Sequence, residues 1–195
     1  ELKKSICEIV KGKVITEQSV FGISSLFPAF MQMSAEDMDM MFHSVFLGYG
    51  AMEDSVQCVK KHLYEDIVSS DALAAALLLT GTFVHEMRLE LIRLVTLYAE
   101  QHFESYLSIA SVAVNLNDPF IREAVFISAT GAAVRNGSKR IAEQALTLLY
   151  DNLRENPTSH VILLDLLDSL MDYAKTFYAV EKDKSVLYLK KDMVW

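Results

Sequence analysis

Residues 117–124 read NDPFIREA, and this stretch decides how the second half of the chain folds. Asp118 can accept hydrogen bonds from the unpaired N–H groups of a helical first turn. Pro119 suits the first helical position, because the N–H group that proline lacks has no partner there. The stretch therefore predicts a helix that begins at Pro119 and covers residues 119–135.

Comparable boundary signals on either side of this stretch divide the chain into helices joined by short connections. Gly137 suits the C′ position of one helix, and Ser138 suits the N-cap of the next. Pro157 ends a helix, and Ser34 with Asp37 resembles a capping box in which Asp replaces the usual Glu or Gln. We expect helices near residues 2–11, 17–32, 35–48, 53–69, 71–85, 87–101, 103–116, 119–135, 139–155 and 160–178.

The spacing of apolar residues supports this helical interpretation. They recur along one face of the helices at 139–155 and 160–178, at the spacing of an amphipathic helix. The helix at 71–85 has almost no polar face, so it is expected to lie at the centre of the domain. Pro28, in contrast, is expected to kink or break the helix at 17–32.

No stretch rich in Pro, Gly or Ser divides the chain, so residues 1–178 are expected to form one all-helical domain. The tail at 179–195 contains β-forming residues at 185–189 with lysines on both sides. We expect the tail to be extended or only partly ordered, and it is a candidate docking peptide. Since the chain begins at Glu1 with no leader sequence, it reads as a fragment of a longer protein.

The stretch at 117–124 also carries a family resemblance. With the small and apolar residues at 129–134, it resembles the start of the second helix of a HEAT repeat, where D-P-x-V-R-x-A is common and Ile121 here replaces the usual Val. The repeat-like part then spans residues 102–178, and its period of about 36 to 41 residues matches HEAT and armadillo repeats. The resemblance implies two repeats, formed by the helices at 103–116 with 119–135 and at 139–155 with 160–178.

The fold class that follows is all-α, with antiparallel helix pairs stacked as a short HEAT/armadillo-like α-solenoid. A compact helical bundle is the alternative. The resemblance implies that Asp118 caps its helix and that Arg122 reaches acidic or carbonyl groups of a neighbouring repeat, so that both are structural residues. It also implies a non-enzymatic role as a scaffold for protein–protein interaction.

Composition and charge argue against several classes of partner. The net charge of −8 argues against nucleic acid, whose phosphates need clustered Lys and Arg. The longest apolar run, at 72–84, falls short of the roughly 20 residues that cross a bilayer, so no membrane partner is expected. Only two cysteines occur, which favours a reducing compartment and an intracellular protein, cytoplasmic or nuclear.

No pattern of catalytic or metal-binding residues is evident. The five histidines include no HxxxH or HxH pair, and the His-Glu-Met sequence at 85–87 begins like a zinc-protease motif but lacks its second histidine. No GxSxG, Walker or GxGxxG motif occurs. We therefore expect no catalytic residues, no metal and no cofactor.

An acidic stretch rich in Met and Phe is the first candidate partner-binding surface. Methionine side chains adapt to varied partners, so with bordering acids this stretch could form a groove for a basic amphipathic helix or peptide. The alternative is that the same methionines fill gaps in the core. The residues of this surface are Met31, Met38, Met41, Phe42, Glu36, Asp37 and Asp39.

A compact basic turn is the second candidate surface. Arg135, Lys139 and Arg140 surround a helix start and could bind a phosphate or a partner's carboxylates, although an ordinary solvated loop is the alternative. Two other functions stay open beside the scaffold. One is a helical bundle that receives a partner helix in the Met/Phe groove, and the other is an all-α enzyme or small-ligand carrier with a pocket beside the helix at 71–85.

Overall fold

The computed structural model describes residues 23–45, 56–61, 63, 70–82 and 84–188, and every regular element among them is helical. This confirms the all-α fold class, while the helix predicted at 2–11 lies outside the described residues. Short 3-10 turns occupy Ser24–Leu26 and Lys184–Tyr188, and residues 56–61 are also helical. The helices are α1 (Phe27–Phe30), α2 (Ala35–Val45), α3 (Ser70–Leu79), α4 (His85–Gln101), α5 (Phe103–Ala113), α6 (Pro119–Asn136), α7 (Lys139–Glu155) and α8 (Val161–Tyr178).

The predicted helix boundaries are confirmed where local side chains satisfy the end of a helix. Asp118 Oδ1 accepts hydrogen bonds from Phe120 N and Ile121 N, both at 2.9 Å, and caps α6. Gly137 ends α6 in the left-handed region at a φ of 69°. Ser138 is the N-cap of α7 as predicted, but its hydroxyl makes no capping hydrogen bond.

The capping box before α2 is also confirmed. Ser34 Oγ accepts a hydrogen bond from Asp37 N at 3.2 Å, and Ser34 N donates to Asp37 Oδ2 at 3.4 Å. Pro28 lies in the first turn of the short helix α1, directly after a 3-10 turn. It therefore helps to start a helix, because no N–H is needed there, and it does not kink a longer one.

Two helices end earlier than predicted. The helix expected at 71–85 ends at Leu79, where Thr80 Oγ1 donates to Leu77 O at 2.6 Å and the backbone tightens into i to i+3 hydrogen bonds. The helix expected at 103–116 ends at Ala113 in the same kind of tightened turn. Buried residues continue into both connections, Thr80 and Thr82 after the first helix and Val114 and Leu116 after the second, so burial alone overestimated both helix lengths.

Helix α3 lies at the centre of the described fold, as its composition predicts. Residues 72–79 are all fully buried, and α3 contacts α4, α5, α6 and the 3-10 turn at Ser24–Leu26. Asp71 at its start accepts hydrogen bonds from Ser24 N at 3.0 Å and Ser24 Oγ at 2.5 Å. No helix in the described ranges is both long and apolar enough to cross a membrane.

From α3 onward, each helix packs against the next helix and also against the helix after that. Helix α5 contacts α3 and α7, and α6 contacts α4 and α8. Helices two apart in the sequence therefore lie side by side, and α3 additionally touches α6. The tail after α8 returns over the last two helices, where the 3-10 turn Lys184–Tyr188 packs against α7 and α8.

Candidate functional site

The Met/Phe stretch is divided between the core and the surface. Met38 and Met41 are fully buried, whereas Met31 is 42% exposed. Met38 and Met41 therefore take the core role that the sequence left open, and they are not available to line an open groove. The side chain of Phe42 lies outside the described residues.

The acidic residues of this stretch have different roles. Glu36 and Asp39 are exposed on α2, whereas Asp37 is half-buried and accepts a hydrogen bond from Ser34 Oγ at 2.8 Å. Asp37 therefore contributes to the start of its helix. Asp39 lies close enough to Asp118 for its charge to raise the pKa of that carboxyl. The structure thus connects the acidic stretch to the beginning of α6.

Each cation of the basic turn between α6 and α7 has a carboxylate partner within the chain. The carboxylates come from the end of α4, from α5 and from α7 itself, and all three cations stay more than half exposed. The positive charge that the sequence indicates is therefore largely offset locally. The pairs are Arg135–Glu100 (2.7 Å), Arg140–Glu104 (2.8 Å) and Lys139–Glu143 (3.8 Å).

A cleft of about 480 Å³ lies at the opposite end of α6, where the α5–α6 and α7–α8 connections meet the start of α2. Asn117 joins the α5–α6 connection to the segment just before α2, because its Nδ2 donates to Met33 O at 2.7 Å. The cleft is lined by both apolar and polar side chains. Its polar lining residues are Ser34, Asn115, Asn117, Asp118, Arg122, Asn156, Thr158 and His160.

Arg122 organises one wall of this cleft. Its Nε donates to Asn152 Oδ1 at 2.9 Å, and its Nη2 donates to Asn156 O at 2.6 Å. Asn152 Nδ2 in turn donates to Asn115 Oδ1 at 3.0 Å. Burial lowers the pKa of Arg122, and no carboxylate among the described residues pairs with it. The guanidinium is thus held by neutral acceptors from α7 and the connection that follows it.

Asp118 forms the floor where α6 begins. Burial raises the pKa of its carboxyl. The hydrogen bonds that the carboxyl accepts from two backbone N–H groups oppose that rise, and the charge of Arg88 also lowers the pKa. Arg88 lies over the ring of Phe120 at 3.9 Å and donates to Thr82 O at 3.2 Å. These contacts position the first turn of α6, and the carboxylate is engaged by hydrogen bonds from backbone N–H groups.

His160 contributes an imidazole to this cleft. His160 Nε2 lies 3.7 Å from Glu123 Oε2, which is too long for a hydrogen bond, and its Nδ1 is buried without a partner. The described residues also contain no group of three metal-ligating side chains.

A second, more open groove of about 630 Å³ runs between α5 and α7. Leu107 and Leu148 are half-buried on its floor, and Ser108 and Ser111 stand exposed along one side. The Glu104–Arg140 ion pair lies at this groove, so one cation of the basic turn belongs to it. The groove combines apolar floor with hydroxyl and charged walls, as protein-binding surfaces commonly do.

Both concave sites were missed by the reasoning from sequence. One signal for the cleft was present, because Asn152 occurs on the buried face of α7, three residues after Leu149. A polar side chain on an apolar face needs hydrogen-bond partners, which here are Arg122 and the α5–α6 connection. No sequence pattern indicated the groove, because its serines lie far in sequence from the α7 residues opposite them.

Comparison with known proteins adds no name to these sites. No protein-family model matches the chain, and no curated protein or solved structure matches it.

Proposed function

We propose that this chain is a non-enzymatic scaffold for protein–protein interaction, built as a short HEAT/armadillo-like α-solenoid. The observation that carries the proposal is the side-by-side packing of alternate helices: α3 with α5, α5 with α7, α4 with α6, and α6 with α8. Helix pairs that stack in one direction contact their neighbours in this way. Such arrays present long grooves between the helices of one layer, and these grooves bind protein segments.

The hydrogen bonds of Arg122 support the same proposal. They run from α6 to Asn152 in α7 and to the backbone of Asn156 beyond it, and so join one proposed repeat to the next. The described contacts of this half-buried side chain fit a role in repeat stacking. Asp118 and Arg122 are therefore proposed as structural residues of the array.

The groove between α5 and α7 is the proposed partner-binding surface. Its half-buried Leu107 and Leu148 offer an apolar strip beside the Glu104–Arg140 pair, and the small side chains of Ser108 and Ser111 leave room above that strip. A partner helix or extended peptide with apolar residues along one side and mixed charges fits this lining. Neither this groove nor the cleft beside Arg122 includes a side chain of α3.

Small-angle X-ray scattering of the full chain tests the proposed architecture. Stacked helix pairs give an elongated particle, whose maximum dimension exceeds that of a sphere of the same mass. A scattering profile of a sphere-like body would contradict the solenoid and favour the compact bundle.

Quantitative pull-down tests the proposed surface. The substitutions Ser108→Arg and Ser111→Arg would fill the groove. We expect this double variant to capture at least about tenfold less of a partner than the parent chain captures. The matched control carries arginines at the exposed residues Gln101 and Ser159, which add the same charge outside the groove. Equal capture by the groove variant and the control would contradict the assignment of the groove.

A further inference from the structure

The segment that follows α8 turns back and covers part of the last helix pair. Ala179 adopts a left-handed φ of 55°, and Val180 N donates to Ala174 O at 3.2 Å. Residues 179–188 form what we term the returning segment. Its 3-10 turn, Lys184–Tyr188, packs against both α7 and α8.

Lys184 and Val186 are two of the side chains that attach the returning segment to these helices. Lys184 Nζ lies 2.5 Å from Asp168 Oδ1 and 2.8 Å from Asp172 Oδ1, and these hydrogen bonds raise the pKa of Lys184. Val186 is 2% exposed and belongs to the apolar core. The surface of α7 and α8 therefore receives a lysine and, two residues later, a branched apolar side chain.

We propose that this surface is a docking site for a short turn-forming segment of a partner protein that carries a cation two residues before a Val-like residue. In the free chain, residues 184–187 occupy the site and so protect it. The inference rests on the proposed scaffold function and names a second partner surface, separate from the groove between α5 and α7.

The internal occupant is held in a way that a competitor can overcome. Both ion pairs of Lys184 are exposed to solvent, and exposed pairs contribute little to stability. Tyr188 at the end of the 3-10 turn is 76% exposed, which leaves Val186 as the one buried residue of that turn. The left-handed backbone at Ala179 opposes docking, because a residue with a Cβ atom disfavours that conformation.

A partner segment with a second cation would bind more strongly than the returning segment does. Asp165, Asp168 and Asp172 follow each other at the i, i+3 and i+7 positions of α8, which places them on one face. Lys184 pairs with the last two, whereas Asp165 is exposed and has no ion-pair partner among the described residues. A Lys or Arg that reaches Asp165 would add a contact that the chain itself does not make.

Fluorescence polarisation on the full-length chain tests this inference. The probe is a fluorescein-labelled peptide that copies residues 181–188, EKDKSVLY, and the released chain carries Lys184→Glu and Val186→Asp. We expect the probe to bind the released chain at least about tenfold more tightly than the parent, whose tethered segment competes at high effective concentration. Equal binding to both chains, or binding to neither, would overturn the proposal.

Matched variants locate the interaction. Asp168→Asn with Asp172→Asn in the released chain should weaken probe binding, whereas Asp151→Asn with Glu155→Gln, an equal loss of charge on α7, should leave it unchanged. A probe with an added lysine should bind more tightly, and Asp165→Asn should abolish that gain. An unchanged circular dichroism spectrum and unfolding temperature show that each variant stays folded. A loss of binding then cannot result from unfolding of the variant.

Two further readouts separate this inference from the alternatives. A dimer of the parent chain that forms with rising concentration and is abolished by Asp168→Asn would assign the site to a second copy, and would overturn its assignment to another protein. If the peptide probe does not bind the released chain while the groove variant still loses its partner, the docking site is wrong and the scaffold proposal stands. If the scattering profile is sphere-like, the solenoid architecture fails independently of the probe.

Discussion

Arg122 and Arg135 lie on the same helix, about 20 Å apart along its axis, and their surroundings differ in nearly every respect. Arg122 is half-buried and donates to Asn152 Oδ1 and Asn156 O, with no carboxylate partner among the described residues. Arg135 is 56% exposed and pairs with Glu100. One arginine joins buried polar groups of neighbouring helices, and the other forms a surface ion pair.

The difference shows why the charge of a residue does not reveal its role. When a buried polar acceptor loses its donor, the folded state is destabilised by the desolvation free energy of that acceptor. The two charges of an exposed ion pair, in contrast, are readily hydrated by water and screened by salt. Arg122 therefore matters for how α6 and α7 pack. Arg135 matters chiefly for the surface charge of the turn before α7.

The largest expected effect is the loss of Arg122. The Arg122→Met substitution keeps a long side chain but leaves Asn152 Oδ1 without its donor, so the free energy of unfolding should fall by about 1 to 3 kcal/mol. The matched Arg135→Met substitution should lower it by less than about 0.5 kcal/mol. Urea unfolding of both variants measures the difference, and equal losses would contradict the contrast between the two ends of α6.

The second expected effect comes from backbone conformation at the Arg135 end. Gly137 has a φ of 69° with no atom within 4 Å of an added Cβ, so Gly137→Ala meets no steric contact and should cost about 1 to 2 kcal/mol through backbone conformation alone. Gly137→Asn should cost less, because Asn visits the left-handed region more readily. Thermal unfolding of the two variants checks this order, and a reversed order would point to a packing effect.

A third prediction concerns pH at the Arg122 end. Burial raises the pKa of Asp118 above its ordinary 3.8, so the folded chain holds the proton more tightly than the unfolded chain. The stabilising contribution of this group is complete below pH 3.8 and is lost as the pH rises through the raised pKa.

The Asp118→Asn variant removes this titration, and Asn remains a good N-cap. We therefore expect the variant to gain stability relative to the parent as the pH rises from about 4 towards neutrality. Unfolding measured across this range at constant ionic strength gives the difference. A constant difference at all pH values would show that the carboxyl titrates normally.

The smallest expected effect is the response to salt. Since the Debye length shrinks to about 3 Å at 1 M salt, the small effect of Arg135→Met should vanish in 1 M NaCl. The larger effect of Arg122→Met should persist, because neutral acceptors hold that side chain. Unfolding of each variant with and without salt makes the comparison, and a penalty at Arg122 that salt removes would indicate an unrecognised charge partner.

Sequence reasoning succeeded where a helix end depends on neighbouring residues. The cap at Asp118, the left-handed glycine at Gly137 and the capping box of Ser34 with Asp37 all involve atoms within three or four positions along the chain. It failed for the helix expected at 71–85, because the hydroxyl of Thr80 competes with the helical ladder and buried residues continue into the connection. Helical periodicity cannot separate a buried helix from a buried turn.

The sequence by itself determined the all-α class, the position of most helices and the central burial of α3, because capping chemistry and apolar spacing act locally. Only the tertiary structure decided that Met38 and Met41 belong to the core and that the cations of the basic turn are paired. It also brought Asn152 to Arg122, thirty residues away, and Lys184 to the acidic face of α8. These pairings depend on which helix faces lie against each other, and a single chain read in order carries no direct signal of that.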